Sequence, residues 1–177
     1  MRGIPRVAAA AGMATVVACS PQLREPETET IALAQLYNAG GTEVGEAELL
    51  QTGDTLTISV SLFGLPEGAR ALHLHQTAVC EAPAFASAGG HFNPTGRTHG
   101  MLSEDGPHLG DLPNIDVTAD GTFSGVFPLE GSATDLLPSL FDEDGTAVML
   151  HEGPDDYRTD PSGAAGPRLA CGVLERP

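Results

Sequence analysis

The amino-acid sequence predicts an all-β domain, either a sandwich or a closed barrel, and three observations support this fold class. About eight short segments carry the apolar residues that strands need, and the clearest of them alternates strictly between polar and apolar positions. Glycine, proline and aspartate mark the turns between these segments. No segment has a convincing helical period of useful length. Short strands with such regular punctuation are typical of sandwiches and barrels.

The strand Thr55–Leu62 is the clearest element, because its unbroken alternation is the pattern of a strand with one buried and one solvated face. The other predicted strands are less regular. They are, in chain order, Ile31–Tyr37, Thr42–Leu50, Ala69–His75, Asn114–Ala119, Thr122–Pro128, Thr146–His151 and Arg168–Leu174. Asp120-Gly121 between two of them predicts a hairpin. Gly53-Asp54 and the segment 64–68 mark further turns.

Two long segments have no strand pattern. The first runs from Cys80 to Leu112 and is rich in glycine and proline, and the second runs from Glu152 to Pro167. Loops longer than about 12–15 residues are usually functional or disordered. We therefore expect both segments to be functional loops on a rigid β scaffold.

The six histidines lie in these loops or next to them. His73 and His75 are one residue apart in a predicted strand, where residues i and i+2 share a face, so both imidazoles reach one ion. The other candidate ligands are His91, His99, His108, His151 and Asp111. Imidazole is the commonest side-chain ligand for metals such as copper and zinc, and carboxylate oxygens complete such sets. The pattern predicts a metal site.

Counting the donors favours two metal ions but leaves the number open. Six imidazoles and one carboxylate are seven donors, whereas two four-coordinate sites need eight. One imidazole that binds a different metal through each ring nitrogen removes the deficit. A single site with five or six ligands also uses most of the donors. Each histidine taken singly is more often a packed or exposed residue than a ligand, so the prediction depends on the joint pattern.

Six separated segments carry a family resemblance. They are Leu72–His75, Ser87–Pro94, His99-Gly100, His108–Asn114, His151–Asp156 and Pro167–Val173. Together they resemble copper–zinc superoxide dismutases, in the exported bacterial branch of that family, over roughly residues 30–175. The resemblance implies an eight-stranded Greek-key β-barrel, an immunoglobulin-like sandwich with two long functional loops.

The resemblance also implies a ligand set for each metal. Copper is expected at His73, His75, His91 and His151, and zinc at His91, His99, His108 and Asp111. His91 is then the imidazole that both metals share. The family's reaction is the disproportionation of superoxide to dioxygen and hydrogen peroxide, in which copper changes oxidation state and the shared histidine takes up a proton. Zinc keeps its oxidation state, so its expected role is structural and electronic.

Two more roles follow from the resemblance. Asp155 is expected to link His73 to His99 and so to orient one ligand of each metal. From the residues alone, Asp155 is rather an exposed loop acid beside Asp156. Arg168 is expected to guide the anionic substrate beside copper, because a guanidinium keeps its charge and donates several hydrogen bonds. The alternative for Arg168 is a salt-bridged arginine at the start of a strand.

The N-terminus predicts export. Residues 1–18 combine two arginines with an apolar run too short to span a bilayer, as signal peptides do, and Cys19 follows as in bacterial lipoproteins. We expect residues 19–29 to be a lipidated cysteine and a flexible tether, ahead of one domain over residues 30–177. The alternative is a plain signal peptide with an incidental cysteine nearby. The expected location is the periplasm or cell envelope, with membrane contact only through the lipid.

Three cysteines are an odd number for an exported protein. Lipidation of Cys19 leaves Cys80 and Cys171, and the resemblance implies that these two form a disulfide between the metal-binding loop and the last strand. Two buried free thiols are the alternative, which an oxidising compartment disfavours.

The chain is acidic, with a formal net charge of −16 and no lysine. This charge argues against nucleic acid and anionic membranes as partners. Superoxide is also an anion, but the field inside a cleft differs from that of the whole surface. The second loop carries Arg158 against Asp155, Asp156 and Asp160, so we expect weak electrostatic steering of the substrate.

The sequence thus predicts a copper–zinc enzyme that dismutates superoxide. One alternative is a non-catalytic copper or zinc buffer or delivery module on the same barrel, which binds metal but turns over superoxide poorly. Another is a structural zinc domain, which leaves His73, His75 and His151 without a role. The resemblance leaves the oligomeric state open between a monomer and a homodimer.

Overall fold

A computed structural model of the chain describes residues 26–177. Within that range it contains nine β-strands and one α-helix. They are β1 Thr28–Asn38, β2 Glu43–Thr52, β3 Thr55–Leu62, β4 Gly68–Arg70, β5 Leu72–His75, β6 Ile115–Val117, β7 Phe123–Pro128, α1 Ala133–Leu140, β8 Ala147–His151 and β9 Arg168–Val173. The nearly all-β architecture confirms the predicted fold class. The predicted signal peptide, Cys19 and most of the predicted tether lie outside the described residues, and β1 begins at Thr28, inside the tether's predicted range.

Burial follows the alternation that the sequence predicted. Leu56, Ile58 and Val60 of β3 are fully buried, whereas Thr57 and Ser59 between them stay partly accessible. The buried faces of the strands meet in one apolar core that also includes Leu36 of β1. Burial of this apolar surface is the main force that closes the sheet on itself.

Seven of the strands form one antiparallel sheet in the order β5-β8-β9-β1-β2-β3-β7, and β4 pairs with β6 in a second ladder. Since β4 leads into β5 along the chain and β6 contacts β7, the small ladder lies between the two ends of the large sheet. Taken as one strand, β4 and β5 complete the expected eight-stranded Greek key. The pairing of β3 with β7 and of β1 with β9 provides its long crossovers.

The predicted strand Ala69–His75 is divided at Ala71. The Ala71 N–H donates to the Gly153 carbonyl at 2.8 Å, and the Ala71 carbonyl accepts from the His151 N–H at 2.9 Å. Before this residue the chain pairs with β6, and after it the chain pairs with β8. The division therefore turns β5, with its two histidines, towards the second loop.

The Asp120-Gly121 signal gives a tight turn but not a two-stranded hairpin. The Thr118 N–H donates to the Thr122 carbonyl at 3.0 Å across the turn. Beyond it, however, β6 continues along β4 and β7 along β3, so the two strands belong to different ladders. Strand pairing here is decided by the barrel's closure and not by the local turn.

The helix α1 corrects the expectation that no helical segment is present. Ser132 is its N-cap and accepts a hydrogen bond from the Asp135 N–H at 3.1 Å. Ala133, Leu136 and Leu140 form its buried face. The spacing of these apolar residues and the cap are helix signals. Pro138 inside the helix obscures them, because proline usually ends a helix.

The two long loops contain no strand, as predicted, and the first has only one 3₁₀ turn, at Ala86–Ala88. The first loop is anchored at its start by a second apolar cluster, in which Phe85 and Ala88 pack against Met149 and Cys171. This cluster covers the outer face of β8, and all five residues of that strand are therefore buried. The loop thus forms a second layer over the barrel wall. Among residues 26–177, no helix has the length and apolar character needed to cross a membrane.

Candidate metal centre

β5 carries two of the candidate ligands, and its central residue Leu74 holds the first loop in place. The Leu74 N–H donates to the Gly110 carbonyl at 2.9 Å, and the Leu74 carbonyl accepts from the Phe92 N–H at 2.8 Å. A Cβ on Gly110 would lie 2.5 Å from the Leu74 oxygen, so only glycine permits this approach. Because His91 and Asp111 adjoin Phe92 and Gly110, the junction brings them beside the histidines of β5.

Four imidazoles form the first group of donors. His73 and His75 of β5, His91 of the first loop and His151 at the end of β8 each offer a ring nitrogen within 4.8 Å of the others. The four nitrogens, which are His73 Nδ1 and the Nε2 atoms of the other three, are buried and have no hydrogen-bond partner. Buried polar atoms are almost always paired. Four that converge without partners fit the coordination of a metal ion.

The second group is built around the buried carboxylate of Asp111. The Nδ1 atoms of His91, His99 and His108 lie 2.7, 3.0 and 3.2 Å from its oxygens. Three nitrogens and one oxygen in a closed cluster match a tetrahedral zinc site. His91 belongs to both groups, with Nε2 in the first and Nδ1 in the second.

The structure therefore brings all seven predicted donors together in two adjoining sets of four. Their side chains are at most 7 % exposed. Because His91 belongs to both groups, seven donor residues are enough for two four-coordinate sites.

Asp155 joins the two groups from the side opposite the metal-facing nitrogens. Its Oδ2 accepts a hydrogen bond from His73 Nε2 at 2.9 Å, and its Oδ1 accepts one from His99 Nε2 at 3.0 Å. These bonds place the proton on Nε2 of each ring and leave Nδ1 free for coordination. Asp155 is 4 % exposed, so it is not the solvated loop acid of the alternative reading.

Backbone carbonyls orient two further imidazoles in the same way. His75 Nδ1 donates to the Gly89 carbonyl at 3.0 Å, and His151 Nδ1 donates to the Gly166 carbonyl at 3.2 Å. Each ring is thereby held as the tautomer whose Nε2 faces the first group.

Burial keeps His75, His91 and His151 of the first group neutral. It lowers the pKa of His75 to about 2, that of His151 to about 3 and that of His91 to about 4. Neighbouring imidazoles lower these pKa values further, and Arg168 does so for His75 and His151. Neutral imidazole is the metal-binding form, so these ligands are available at physiological pH.

His99 is the exception. Burial opposes its charged form, but hydrogen bonds to Asp111 and Asp155 outweigh burial and raise the pKa of His99 to about 9. Burial acts against the charged forms of the two carboxyl groups as well, yet their histidine partners hold the pKa of each well below its usual range. Two ionised carboxylates in a buried site favour a cation, and a divalent metal ion held there would take the place of the proton of His99.

Arg168 lies at the solvent side of the first group. It lines a cleft of 370 Å³ together with His75, His91 and His151. Its guanidinium donates to the carbonyls of Phe85 and Gly89, at 2.5 and 2.6 Å. Arg168 thus contacts carbonyl oxygens rather than carboxylates in the described part of the chain.

The predicted disulfide is confirmed. Cys80 and Cys171 are bonded and connect positions 91 residues apart, joining the start of the first loop to β9. Cys171 lies three residues after Arg168 in β9, and it is 1 % exposed. The bond therefore ties the loop carbonyls that hold Arg168 to the strand that carries it.

Three residues that support the site were missed by the sequence-based reasoning. Arg70 is buried and donates to the carbonyls of Pro66 and Glu152, the latter directly after His151. Asn114 and Tyr157 both form hydrogen bonds with Asp155. Only the rarity of a buried arginine distinguishes Arg70, and burial is not visible in a short segment such as Gly68–Arg70.

The fold and the donor sets define a protein with a two-metal, histidine-bridged centre on a Greek-key barrel. Its imidazole-rich sets suit copper and zinc. The profile of the copper/zinc superoxide dismutase family matches residues 43–174. The chain therefore belongs to the copper/zinc superoxide dismutase family, and copper and zinc are its cofactors.

Bacterial proteins of known sequence are similar to it. Copper–zinc superoxide dismutase 2 of Aquifex aeolicus is 44 % identical over 146 residues, which are 81 % of this chain and 85 % of the relative. The superoxide dismutase-like protein YojM of Bacillus subtilis is 38 % identical over 168 residues, or 87 % and 84 % of the two chains.

Among solved structures, a superoxide dismutase-like protein from Bacillus subtilis superimposes with a TM-score of 0.72 at 38 % identity, covering 81 % of this chain and 97 % of that one. The copper/zinc superoxide dismutase of Brucella abortus gives a TM-score of 0.63 at 27 % identity, covering 84 % and 100 %.

Proposed function

We propose that this protein is a superoxide dismutase, which converts superoxide to dioxygen and hydrogen peroxide. The observation that carries the proposal is His91, whose two ring nitrogens face two different sets of donors. A structural zinc domain needs only the second set and has no use for three more buried imidazoles. Relatives at 43–44 % identity carry the name copper–zinc superoxide dismutase.

The assignment of ligands follows the two groups. We assign His73, His75, His91 and His151 to copper, and His91, His99, His108 and Asp111 to zinc. Bound copper supplies the one-electron chemistry by alternating between two oxidation states, and zinc supplies fixed charge. While Nε2 is not bound to metal, His91 would hold a proton there for the product peroxide, and its Nδ1 would remain with the second group. Asp155 keeps His73 and His99 in the orientations that coordination needs.

Arg168 receives the substrate. Its charge stays on at any working pH, and its position in the cleft lets it attract and orient a small anion beside the copper ligands. Because two of its N–H groups are used by carbonyls, the guanidinium is held in place before the substrate arrives. Replacement by alanine should lower the second-order rate constant by about 10-fold, as loss of one charged contact does. Replacement by lysine should recover part of it.

The experiment that tests the function compares the unchanged protein with the His151→Ala variant. Both are loaded with copper and zinc, and metal content and dismutation rate are measured on the same preparation. We expect one copper and one zinc per chain in the unchanged protein, with fast turnover. In the variant, dismutation should vanish while zinc remains, because His151 belongs only to the first group. Tyr37→Phe, at an exposed position outside both groups of donors, is the control.

A non-catalytic metal buffer or delivery module predicts a different result. It loads both metals in the unchanged protein but does not turn over superoxide faster than free copper does. A structural zinc domain binds no copper and is indifferent to His151→Ala. Either outcome contradicts the proposed enzyme.

We further propose that residues 1–18 are a signal peptide, that Cys19 is lipidated and that the residues from there to the start of β1 at Thr28 tether the domain to a membrane of the cell envelope. The Cys80–Cys171 disulfide supports export, since such bonds persist in oxidising compartments. It also leaves Cys19 as the one cysteine without a role in the domain. Mass spectrometry of the mature N-terminus tests this: a diacylglycerol-modified Cys19 is expected, and an unmodified amine downstream of it refutes the anchor.

A further inference from the structure

Tyr157 has a backbone conformation that non-glycine residues rarely adopt. Its φ is +62°, in the left-handed region. Bulky residues persist there only where the surrounding structure determines the conformation, and such residues cluster at functional sites. The contacts of Tyr157 explain why its conformation is kept.

Each polar group of Tyr157 has a partner near the metal centre. Its N–H donates to Asp155 Oδ1 at 2.6 Å, and its carbonyl accepts from the Leu102 N–H of the first loop at 3.0 Å. Its phenol oxygen accepts from the Asn114 N–H at 2.8 Å. A Cβ on Gly100, next to His99, would lie 2.1 Å from the backbone carbonyl oxygen of Tyr157. The two loops therefore pack backbone against backbone here.

Asn114 completes the arrangement from the other side. Its side-chain oxygen accepts from the Asp155 N–H at 2.8 Å, and its side-chain amide donates to the Asp155 carbonyl at 2.8 Å. Asn114 therefore holds the backbone of Asp155, while Tyr157 holds both the carboxylate of Asp155 and the backbone of Asn114. The carboxylate has its oxygens on His73 and His99.

We propose that Tyr157 is a positioning residue, whose backbone N–H and phenol oxygen set the Asp155 carboxylate in the place where it orients His73 and His99 together. The inference rests on the proposed assignment of these histidines to copper and zinc. It assigns to the second loop a part in metal binding, although the loop supplies no ligand of its own. A residue that merely packed against the loop would contribute to stability but would not act through Asp155.

Zinc affinity of the full chain, measured by competition with a chelator, tests the proposal. Tyr157→Phe removes the phenol oxygen and leaves the ring and the backbone. We expect zinc to bind about 3- to 10-fold more weakly, since one hydrogen bond that supports the linking carboxylate is lost. Asp155→Ala should weaken zinc by about 10- to 100-fold. Tyr37→Phe is the matched control, because Tyr37 is the only other tyrosine and is 43 % exposed.

The double variant separates positioning from packing. If Tyr157 acts through Asp155, adding Tyr157→Phe to Asp155→Ala should cause no further loss of zinc affinity. An equal loss in both backgrounds, or unchanged zinc affinity in Tyr157→Phe, overturns the proposal. Cobalt(II) in place of zinc gives a second readout, because its visible absorption should shift in Tyr157→Phe if His99 is reoriented and should stay the same if it is not.

The test is independent of turnover. If the unchanged protein binds zinc but does not dismutate superoxide, the proposed function fails while the role of Tyr157 is still decided by the zinc affinities. If dismutation is fast but Tyr157→Phe binds zinc normally, the positioning role fails and the function stands.

Discussion

Replacing Cys80 and Cys171 together by alanine is expected to lower the free energy of unfolding by about 4–5 kcal/mol. The disulfide joins positions 91 residues apart, and the bond limits the conformations that the unfolded chain explores. In the chain-entropy model a loop of this length removes roughly 15.5 cal/mol/K of entropy, which is about 4.6 kcal/mol at 25 °C. Cys171 is also buried in the cluster beneath the first loop, so loss of its sulfur adds a small packing cost.

Urea denaturation of the metal-free protein measures this difference, because bound metal would add its own stabilisation to the folded state. The midpoint should fall strongly in the double variant. Addition of a reductant should destabilise the unchanged protein to a similar level but leave the variant unaffected, which is the control. A difference below about 1 kcal/mol would show that the unfolded chain is already constrained near the two cysteines, and it would refute the entropic reasoning.

Three other perturbations give equally direct expectations. In Gly163→Ala the new Cβ would lie 1.9 Å from Asp155 Oδ1, so zinc affinity should fall about 10- to 100-fold. The matched control is Gly96→Ala, because Gly96 also has a positive φ but faces open space. An equal loss of zinc affinity in Gly96→Ala would contradict the steric argument. The metal-free protein should lose stability as pH falls from about 6.5 to 4, by up to about 2–3 kcal/mol per pH unit. The reason is that the pKa values of His75 and His151 are lowered to about 2 and about 3 in the folded protein, so only the unfolded state takes up their protons in that range. Equal urea midpoints at pH 4.5 and 7 would refute this. The rate constant for superoxide should change less than about 3-fold between low and physiological ionic strength. A steep fall with added salt would contradict the weak steering expected from the second loop, where Arg158 is outnumbered by acidic residues.

The strands were predictable because their signal is local. Alternation in Thr55–Leu62 needs no distant partner to be recognised, and the structure has β3 at the same residues. The helix α1 was missed for an equally local reason, since Pro138 interrupts a pattern only eight residues long. The turn at Asp120-Gly121 was visible, but the pairing of the strands on either side of it depends on how the sheet closes.

The candidate metal ligands were predictable from residue type and spacing, together with the family resemblance. The residues that orient them were not. Tyr157 and Asn114 are 43 positions apart, and their hydrogen bond exists only because the second loop folds back over the strand that follows Asp111. Arg70 is a similar case, because the Glu152 carbonyl that accepts a hydrogen bond from its buried guanidinium is 82 positions away in the sequence.

The sequence by itself determined the kind of protein: an all-β chain with six histidines and one aspartate spaced for metal binding, and two cysteines that the family resemblance pairs between the first loop and the last strand. These features are carried by the chemistry of single residues and by short periodic patterns. Only the tertiary structure decided which ring nitrogen of His91 faces each set of donors, how the Asp155 carboxylate reaches His73 and His99 at once, and why glycine is required at position 110. Each of these depends on distances between atoms far apart in the chain, and such distances are set when the barrel closes and its loops pack against it.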